Sequence, residues 1–177
     1  EIYTFAIVGS VNVYKRQRLI GWRRVWQRTN LRNFSFLSVH KSGGSSIDGV
    51  IANVPNGNWK KLDERETGYE RIIGSEMVDH MSSKADSISF YRIPNYNLAS
   101  VEKCPILLSY LDVVLMGFLQ RFGRQGFLNF FETTDCWDCG IFDDREMPKY
   151  PRAQEYENSF YAAVDNALID HQIDMCR

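Results

Sequence analysis

The run Ile106-Leu107-Leu108-Ser109-Tyr110-Leu111-Asp112-Val113-Val114-Leu115-Met116-Gly117-Phe118-Leu119-Gln120-Arg121-Phe122 is where the chain changes its periodicity. Apolar residues fall on nearly all sides of a helix drawn through it, which predicts a buried central helix over 106–122. Ser109 and Asp112 interrupt the apolar stretch, and it is too short to span a bilayer. Beyond it the pattern stays helical. Gly123 to Phe131 reads as a further short helix, and Glu157 to Ile173 places Phe160, Tyr161, Val164, Leu168 and His171 at helical spacing on one face.

Before this run the chain reads as strands. Ile2 to Val8 is apolar and β-branched and stops at Gly9-Ser10, while Arg24 to Arg28 and Ser35 to Val39 alternate apolar and polar residues. The cluster Lys41-Ser42-Gly43-Gly44-Ser45-Ser46 predicts a turn ahead of another strand, Asp48 to Val54. Pro55-Asn56-Gly57-Asn58 predicts a second turn that caps a short helix from Trp59 to Thr67, with Gly68 as its stop. Tyr69 to Ile73 and Ile88 to Ile93 return to strand character. Strands first and helices afterwards argue for an α+β fold built on a mainly antiparallel sheet or small barrel.

The whole chain has 177 residues, 44% hydrophobic and 24% charged, which is a globular composition. No repeat, low-complexity segment or linker breaks it, so a single domain over 1–177 is expected. Its net charge of −1 gives no argument for a nucleic-acid partner. The charge is unevenly spread, however. Up to Ile47, eight cations (Lys15, Arg16, Arg18, Arg23, Arg24, Arg28, Arg32 and Lys41) face one acid, Glu1, leaving −8 for the remainder. One reading is a basic surface for a polyanion; the other is basic early strands lying against acidic later helices. Trp22 and Trp26 could stack on bases, yet period two puts both on one face of a strand, which suits core packing.

Four cysteines (Cys104, Cys136, Cys139 and Cys176) do not make a disulfide scaffold, so reduced thiols and a cytoplasmic setting are expected. Cys136-Trp137-Asp138-Cys139 is a CxxC that could be redox-active or half a zinc site. No second CxxC exists, and His40, His80 and His171 lack ligand spacing. GxSxG, GxxxxGK[ST] and HExxH are all missing, which removes support for hydrolase-triad, nucleotide-dependent and zinc-protease chemistry.

Two local features remain. Gly9-Ser10 follows an apolar strand, where a glycine lets consecutive N–H groups turn towards a carboxylate or oxyanion; the plain alternative is an ordinary turn. The second is Leu62-Asp63-Glu64-Arg65-Glu66-Thr67-Gly68-Tyr69. In a helix from Trp59 to Thr67, Trp59, Leu62 and Glu66 share a face, which points Glu66 inward and Glu64 and Arg65 away. The last helical turn and partial burial both disfavour a charged carboxylate there, as suits general acid–base work. A Glu paired with an arginine that only stabilises the fold is the other reading.

These segments, in this order, resemble gamma-glutamylcyclotransferase-like proteins, in a bacterial branch of that family. The resemblance rests on Val8-Gly9-Ser10-Val11-Asn12, Gly21-Trp22-Arg23-Arg24-Val25-Trp26 and Leu62-Asp63-Glu64-Arg65-Glu66-Thr67-Gly68-Tyr69. In the helical half it rests on Ser109-Tyr110-Leu111-Asp112 with Gly117, Thr133-Thr134-Asp135-Cys136-Trp137, Asp144-Arg145 and Pro148-Lys149-Tyr150-Pro151-Arg152. It implies a small mixed or antiparallel β-barrel or curved sheet flanked by helices, and a reaction without cofactor or metal. There the α-amine of a small γ-glutamyl substrate attacks its own γ-carbonyl, giving 5-oxoproline and a free amine or amino acid. Glu66 matches the family's catalytic glutamate. Val8, Gly9, Ser10 and Val11 match its substrate turn, with backbone N–H groups from Gly9 to Val11 holding the substrate. Tyr110 matches a tyrosine near the substrate, with a core hydroxyl as its other reading. The sequence departs from the pattern at Val8, where Tyr is usual, at Val11, where Leu or Asn is common, and at Thr67, where Gly is frequent; the segment from Asn12 to Gly21 is also short. These departures favour, as the alternative function, a catalytically silent module that binds a small carboxylate.

Overall fold

A computed structural model of the chain describes residues 2–6, 13–31, 33–75, 77–79, 87–98 and 104–176. Val8, Gly9, Ser10 and Val11 lie outside the described residues. Strands β1 (Ile2–Ala6), β2 (Val13–Arg28) and β3 (Ser35–Asn53) come first. Helix α1 (Trp59–Arg65) and strands β4 (Glu70–Ile73), β5 (Val78–Asp79) and β6 (Ser87–Arg92) follow. The second half holds β7 (Ile106–Leu107), α2 (Leu108–Glu132), β8 (Thr134–Asp135), β9 (Ile141–Phe142), α3 (Asn158–Asp170) and β10 (Met175–Cys176). The α+β expectation holds.

The main sheet runs in the order β4-β6-β1-β3-β2-β5, with β8 pairing β2. It is mixed. β1 is antiparallel to β3, from Tyr3 opposite Asn53 to Ala6 opposite Val50, and parallel to β6, with Ile2 opposite Ser87. Among the described residues its end strands do not pair with each other, so it is an open sheet and not the closed barrel that was one of the two expected forms. A small parallel sheet joins β10, β9 and β7. No helix among the described residues is long and apolar enough to cross a membrane.

Several boundaries differ from the sequence reading. Lys41 to Ser46 is not a turn but the middle of β3, which runs unbroken from Ser35 to Asn53. This stretch is exposed or half-buried, so its Gly and Ser composition mimics a loop, while Gly44 absorbs a φ of 78° inside the strand. Ile106 and Leu107 pair as a strand before α2 begins. α2 is broken at Gly123 (φ 67°, ψ −167°), which preserves the expected division into two helical pieces. On α3, Phe160, Val164 and Leu168 are buried, as their spacing predicts, and so is Ala167; Tyr161 is half-buried. His171 is exposed beyond the helix end and stacks on Phe131 at 4.8 Å.

The chain groups into two compact units. The first comprises 1–25 and 38–98, and the second 26–37 and 99–177. In the first, Leu19, Trp22, Val39, Ile47, Ile51, Ile88 and Phe90 form the core, with Trp22 meeting Phe90 edge-on at 4.9 Å. β2 buries Gln17 and Leu19, then switches to Trp22, Arg24 and Trp26. Val25 is buried as well, and the change from Leu19 to Trp22 spans Gly21, whose φ of 80° interrupts the regular alternation, as at a β-bulge. Trp22 and Trp26 are therefore core residues. Arg24 is buried with them and donates from Nη2 to the carbonyl of Asp48. Burial pulls its guanidinium down to about 9, against the attraction of the Asp48 carboxylate. Arg18 also pairs with Asp48, at 3.6 Å. Two of the early cations thus find a partner on β3.

In the second unit, several segments quoted for the family resemblance form one polar knot. Asp144, itself buried, accepts from the Ser109 N–H (2.8 Å), the Ser109 hydroxyl (2.7 Å) and the Lys149 N–H (2.8 Å). It thereby satisfies the first turn of α2, whose N-cap, Leu107, has no side-chain cap bond. Arg145 grips Asp112 with two bonds, Nε to Oδ2 at 2.8 Å and Nη2 to Oδ1 at 2.9 Å, and reaches Asp165 at 2.7 Å. Burial raises the Asp112 carboxyl above its ordinary range, and the Arg145 bonds oppose that rise. The same unit has an aromatic core: Phe118 meets Phe130 at 5.0 Å and Phe131 stacks on Trp137 at 5.2 Å.

Two expectations follow for stability in urea. Gly21→Ala should cost about 1–2 kcal/mol, because an L-residue must adopt the left-handed backbone. Gly43→Ala, with ordinary φ and open space around the new Cβ, should stay within about 0.5 kcal/mol. Arg145→Ala should cost about 3–5 kcal/mol by leaving Asp112 buried and unpaired. Removing the exposed partner by Asp165→Ala should cost no more than about 1 kcal/mol.

Candidate functional site

Helix α1 begins where the sequence says it should. After a tight turn over Pro55–Gly57, the Asn58 side chain accepts the Lys61 N–H at 3.1 Å and caps the helix. Trp59, Leu62 and Glu66 are half-buried and every other residue from Lys60 to Arg65 is exposed, which is the face that the spacing predicts. The helix ends at Arg65, however, two residues short of the expected Thr67. Glu66 is therefore its C-cap residue. Its N–H donates to the Leu62 carbonyl at 3.0 Å, and its own carbonyl accepts the Tyr69 N–H at 3.0 Å. The Thr67 hydroxyl closes the turn on the Glu64 carbonyl at 2.9 Å, and Gly68 takes a φ of 95° to leave it.

The Glu66 side chain is 31% exposed. Arg65 donates to it from Nε (3.0 Å) and Nη2 (2.9 Å), both to Oε1. Oε2 accepts no hydrogen bond among the described residues. The carboxylate thus has one oxygen tied to a guanidinium and one available for a proton. The arginine pairing weighed from the sequence is present, and it comes from the adjacent residue.

Three residues before Glu66 stands a second carboxylate, Asp63, to which the sequence pattern assigns no role. Asp63 accepts from Arg71 Nε (3.0 Å) and Nη2 (3.3 Å) and from the Tyr91 hydroxyl (2.6 Å). Arg71 and Tyr91 are directly opposite each other in the β4–β6 ladder. The Arg71 guanidinium also lies over the Trp59 ring, 4.3 Å from its centroid. Burial raises the Tyr91 hydroxyl well above the ordinary phenol range, and Asp63, which accepts its hydrogen bond, and the Glu66 charge add to that rise. Tyr91 therefore remains a protonated donor. Asp63 was legible as part of Leu62-Asp63-Glu64-Arg65-Glu66, whereas Arg71 and Tyr91 needed the strand register.

Val8, Gly9, Ser10 and Val11 are outside the described residues. Tyr110 belongs to the second unit. It is half-buried on α2 among Tyr150 (4.6 Å), Trp26 (5.6 Å) and Phe36 (6.0 Å). Cys136 and Cys139 form no disulfide among the described residues and lie in a tight turn, with Cys136 at a φ of 63°. Burial, then Cys139, Asp138 and Asp135, raise the Cys136 thiol, opposite to the lowered thiol of a reactive CxxC. Among the described residues no group of three His, Cys, Asp or Glu side chains could hold a metal ion.

No family model and no curated protein matches the sequence. Solved structures do. One named gamma-glutamyl cyclotransferase superposes with a TM-score of 0.57 at 14% identity, covering 93% of this chain and 98% of that one. The crystal structure of uncharacterized protein LOC79017 from Homo sapiens gives 0.55 at 14% identity, with the same two coverages of 93% and 98%. That of YkqA from Bacillus subtilis gives 0.57 at 14% identity over 74% of this chain and 53% of that one. The chain therefore has the gamma-glutamyl cyclotransferase fold. For α1, Asn58→Ala should lower stability by about 1 kcal/mol in urea, since it removes a helix cap.

Proposed function

We propose that this chain is a γ-glutamyl cyclotransferase acting in the cytoplasm on a small γ-glutamyl amine or γ-glutamyl amino acid. Glu66 is the general acid/base. The observation that carries this reading is its carboxylate: half-buried at the cap of α1, with Oε1 held by Arg65 and Oε2 accepting nothing among the described residues. The shared fold adds support, because one neighbour is named for this activity.

The proposed chemistry is an intramolecular acyl transfer. Glu66 takes a proton from the α-ammonium of the substrate, and the freed amine attacks the γ-carbonyl of the same glutamyl group. A new N–C bond closes the five-membered ring, the old γ-amide C–N bond breaks, and Glu66 returns the proton to the departing nitrogen. Nothing is oxidised or reduced and no outside nucleophile is consumed, so positioning and one proton transfer account for the rate. Backbone N–H groups from Gly9 to Val11 would hold the substrate through its α-carboxylate.

A screen of γ-glutamyl amino acids, γ-glutamyl amines and glutathione, scored for 5-oxoproline, tests this reading. Glu66→Gln should keep its fold by circular dichroism and lose about 10²–10⁴-fold in turnover. A fully active Glu66→Gln protein would sink the mechanism. Calorimetric binding of γ-glutamyl dipeptides with no product would instead assign the silent carboxylate-binding module, which Val8 and Val11 favour.

A further inference from the structure

Helix α1 has seven residues and none of them is buried. A helix of this length is unstable alone, and here no fully buried apolar side chain fastens it to the sheet. Trp59 and Leu62 are only half-buried, and polar bonds add to their hold. Asp63 projects from α1 and takes three hydrogen bonds from two residues, Arg71 on β4 and Tyr91 on β6. Those residues face each other across the ladder, so the carboxylate is held by both strands at once. Arg71 is fixed in turn by the Trp59 ring at the start of the same helix. The adjoining β4–β6 pair is locked by Arg92 Nε on Glu70 Oε1 at 2.6 Å, directly opposite in register. Downstream, Asn97 donates to the Gly68 carbonyl at 3.0 Å and holds the chain where it leaves the cap.

We infer that Asp63 is a positioning residue: through Arg71 and Tyr91 it clamps α1 onto β4 and β6 and so sets where the Glu66 carboxylate stands. Glu66 follows Asp63 by three residues in the same turn, and its backbone bonds only to Leu62 and Tyr69 among the described residues. A displacement of the helix is therefore a displacement of the carboxylate. The assignment rests on the cyclotransferase reading for its effect on turnover, but the clamp itself is independent of that reading. Because Asp63 and Arg71 are both partly exposed, their pairing contributes little to global stability. Its effect is local.

The test compares Asp63→Asn and Tyr91→Phe with the unaltered full chain, using the γ-glutamyl substrate that gives most 5-oxoproline. Asp63→Asn should lower kcat about 10- to 100-fold, the scale on which misplacing a reacting group acts. KM should stay within about twofold, since substrate-binding groups are untouched. Tyr91→Phe, which keeps the Arg71 bonds, should give a smaller fall in kcat. The melting temperature should hold in both, while the Glu66 and Tyr69 amides exchange faster with deuterium in Asp63→Asn. Unchanged kcat together with unchanged exchange overturns the clamp. A fall in kcat matched by a fall in melting temperature also overturns it, by making Asp63 merely structural. Loss of the cyclotransferase reading has a different signature: an unaltered chain that releases no 5-oxoproline from any substrate, which removes the assigned role in turnover.

Discussion

One backbone angle decides which side chains of β2 are buried. At Gly21 the φ of 80° interrupts the regular alternation, so the strand that hides Gln17 and Leu19 goes on to hide Trp22, Arg24 and Trp26. Without that shift the period of two would turn both tryptophans towards solvent and bring the charged Arg23 inside. Trp22 packs in the core of the first unit, against Phe90, and Trp26 in that of the second, among Tyr110, Phe130 and Trp137. A glycine is the residue suited to that conformation, because any side chain there meets its own backbone. The cost of the arrangement is Arg24, carried inside on the same face and answered by the Asp48 carbonyl.

The polar residues of the two units do two kinds of work. Ser109, Asp112, Asp144 and Arg145 hold one another in the second unit, where buried carboxylates need donors and α2 needs its first-turn N–H groups satisfied. Asp63, Arg71 and Tyr91 hold a helix that has no core of its own. Glu66 differs from all of these. Its only side-chain hydrogen-bond partner among the described residues is the exposed Arg65, and one of its oxygens accepts nothing there. A carboxylate kept near the sheet by others, yet not consumed by the fold, is chemically available. Fold likeness alone does not assign an activity, and this local distinction is what supports one.

Elements with strong local signals were legible from the sequence. The apolar helix read from Ile106, which begins at Leu108, the division at Gly123, the turn that caps α1 and the face shared by Trp59, Leu62 and Glu66 all stand in the structure. Signals failed where composition and environment diverge. Gly43-Gly44-Ser45-Ser46 has the composition of a loop but lies in a strand with a solvated middle, so no burial pattern marked it. The two-residue strands β5 and β7 are set by their partners, Leu19 opposite Val78 and Ile106 opposite Ile141, and short segments carry no period to read.

By itself the sequence determined the α+β order, the burial of α2 and the inward face of α1, because hydrophobic periodicity and capping act over a few neighbouring residues. Tertiary structure alone decided that the sheet is open and mixed, that Asp144 caps α2 from 35 residues away, and that Asp63 meets Arg71 and Tyr91. Those outcomes depend on which strands become neighbours and in what register. Pairing of that kind is a property of the whole sheet's energy, and no local stretch of residues encodes it.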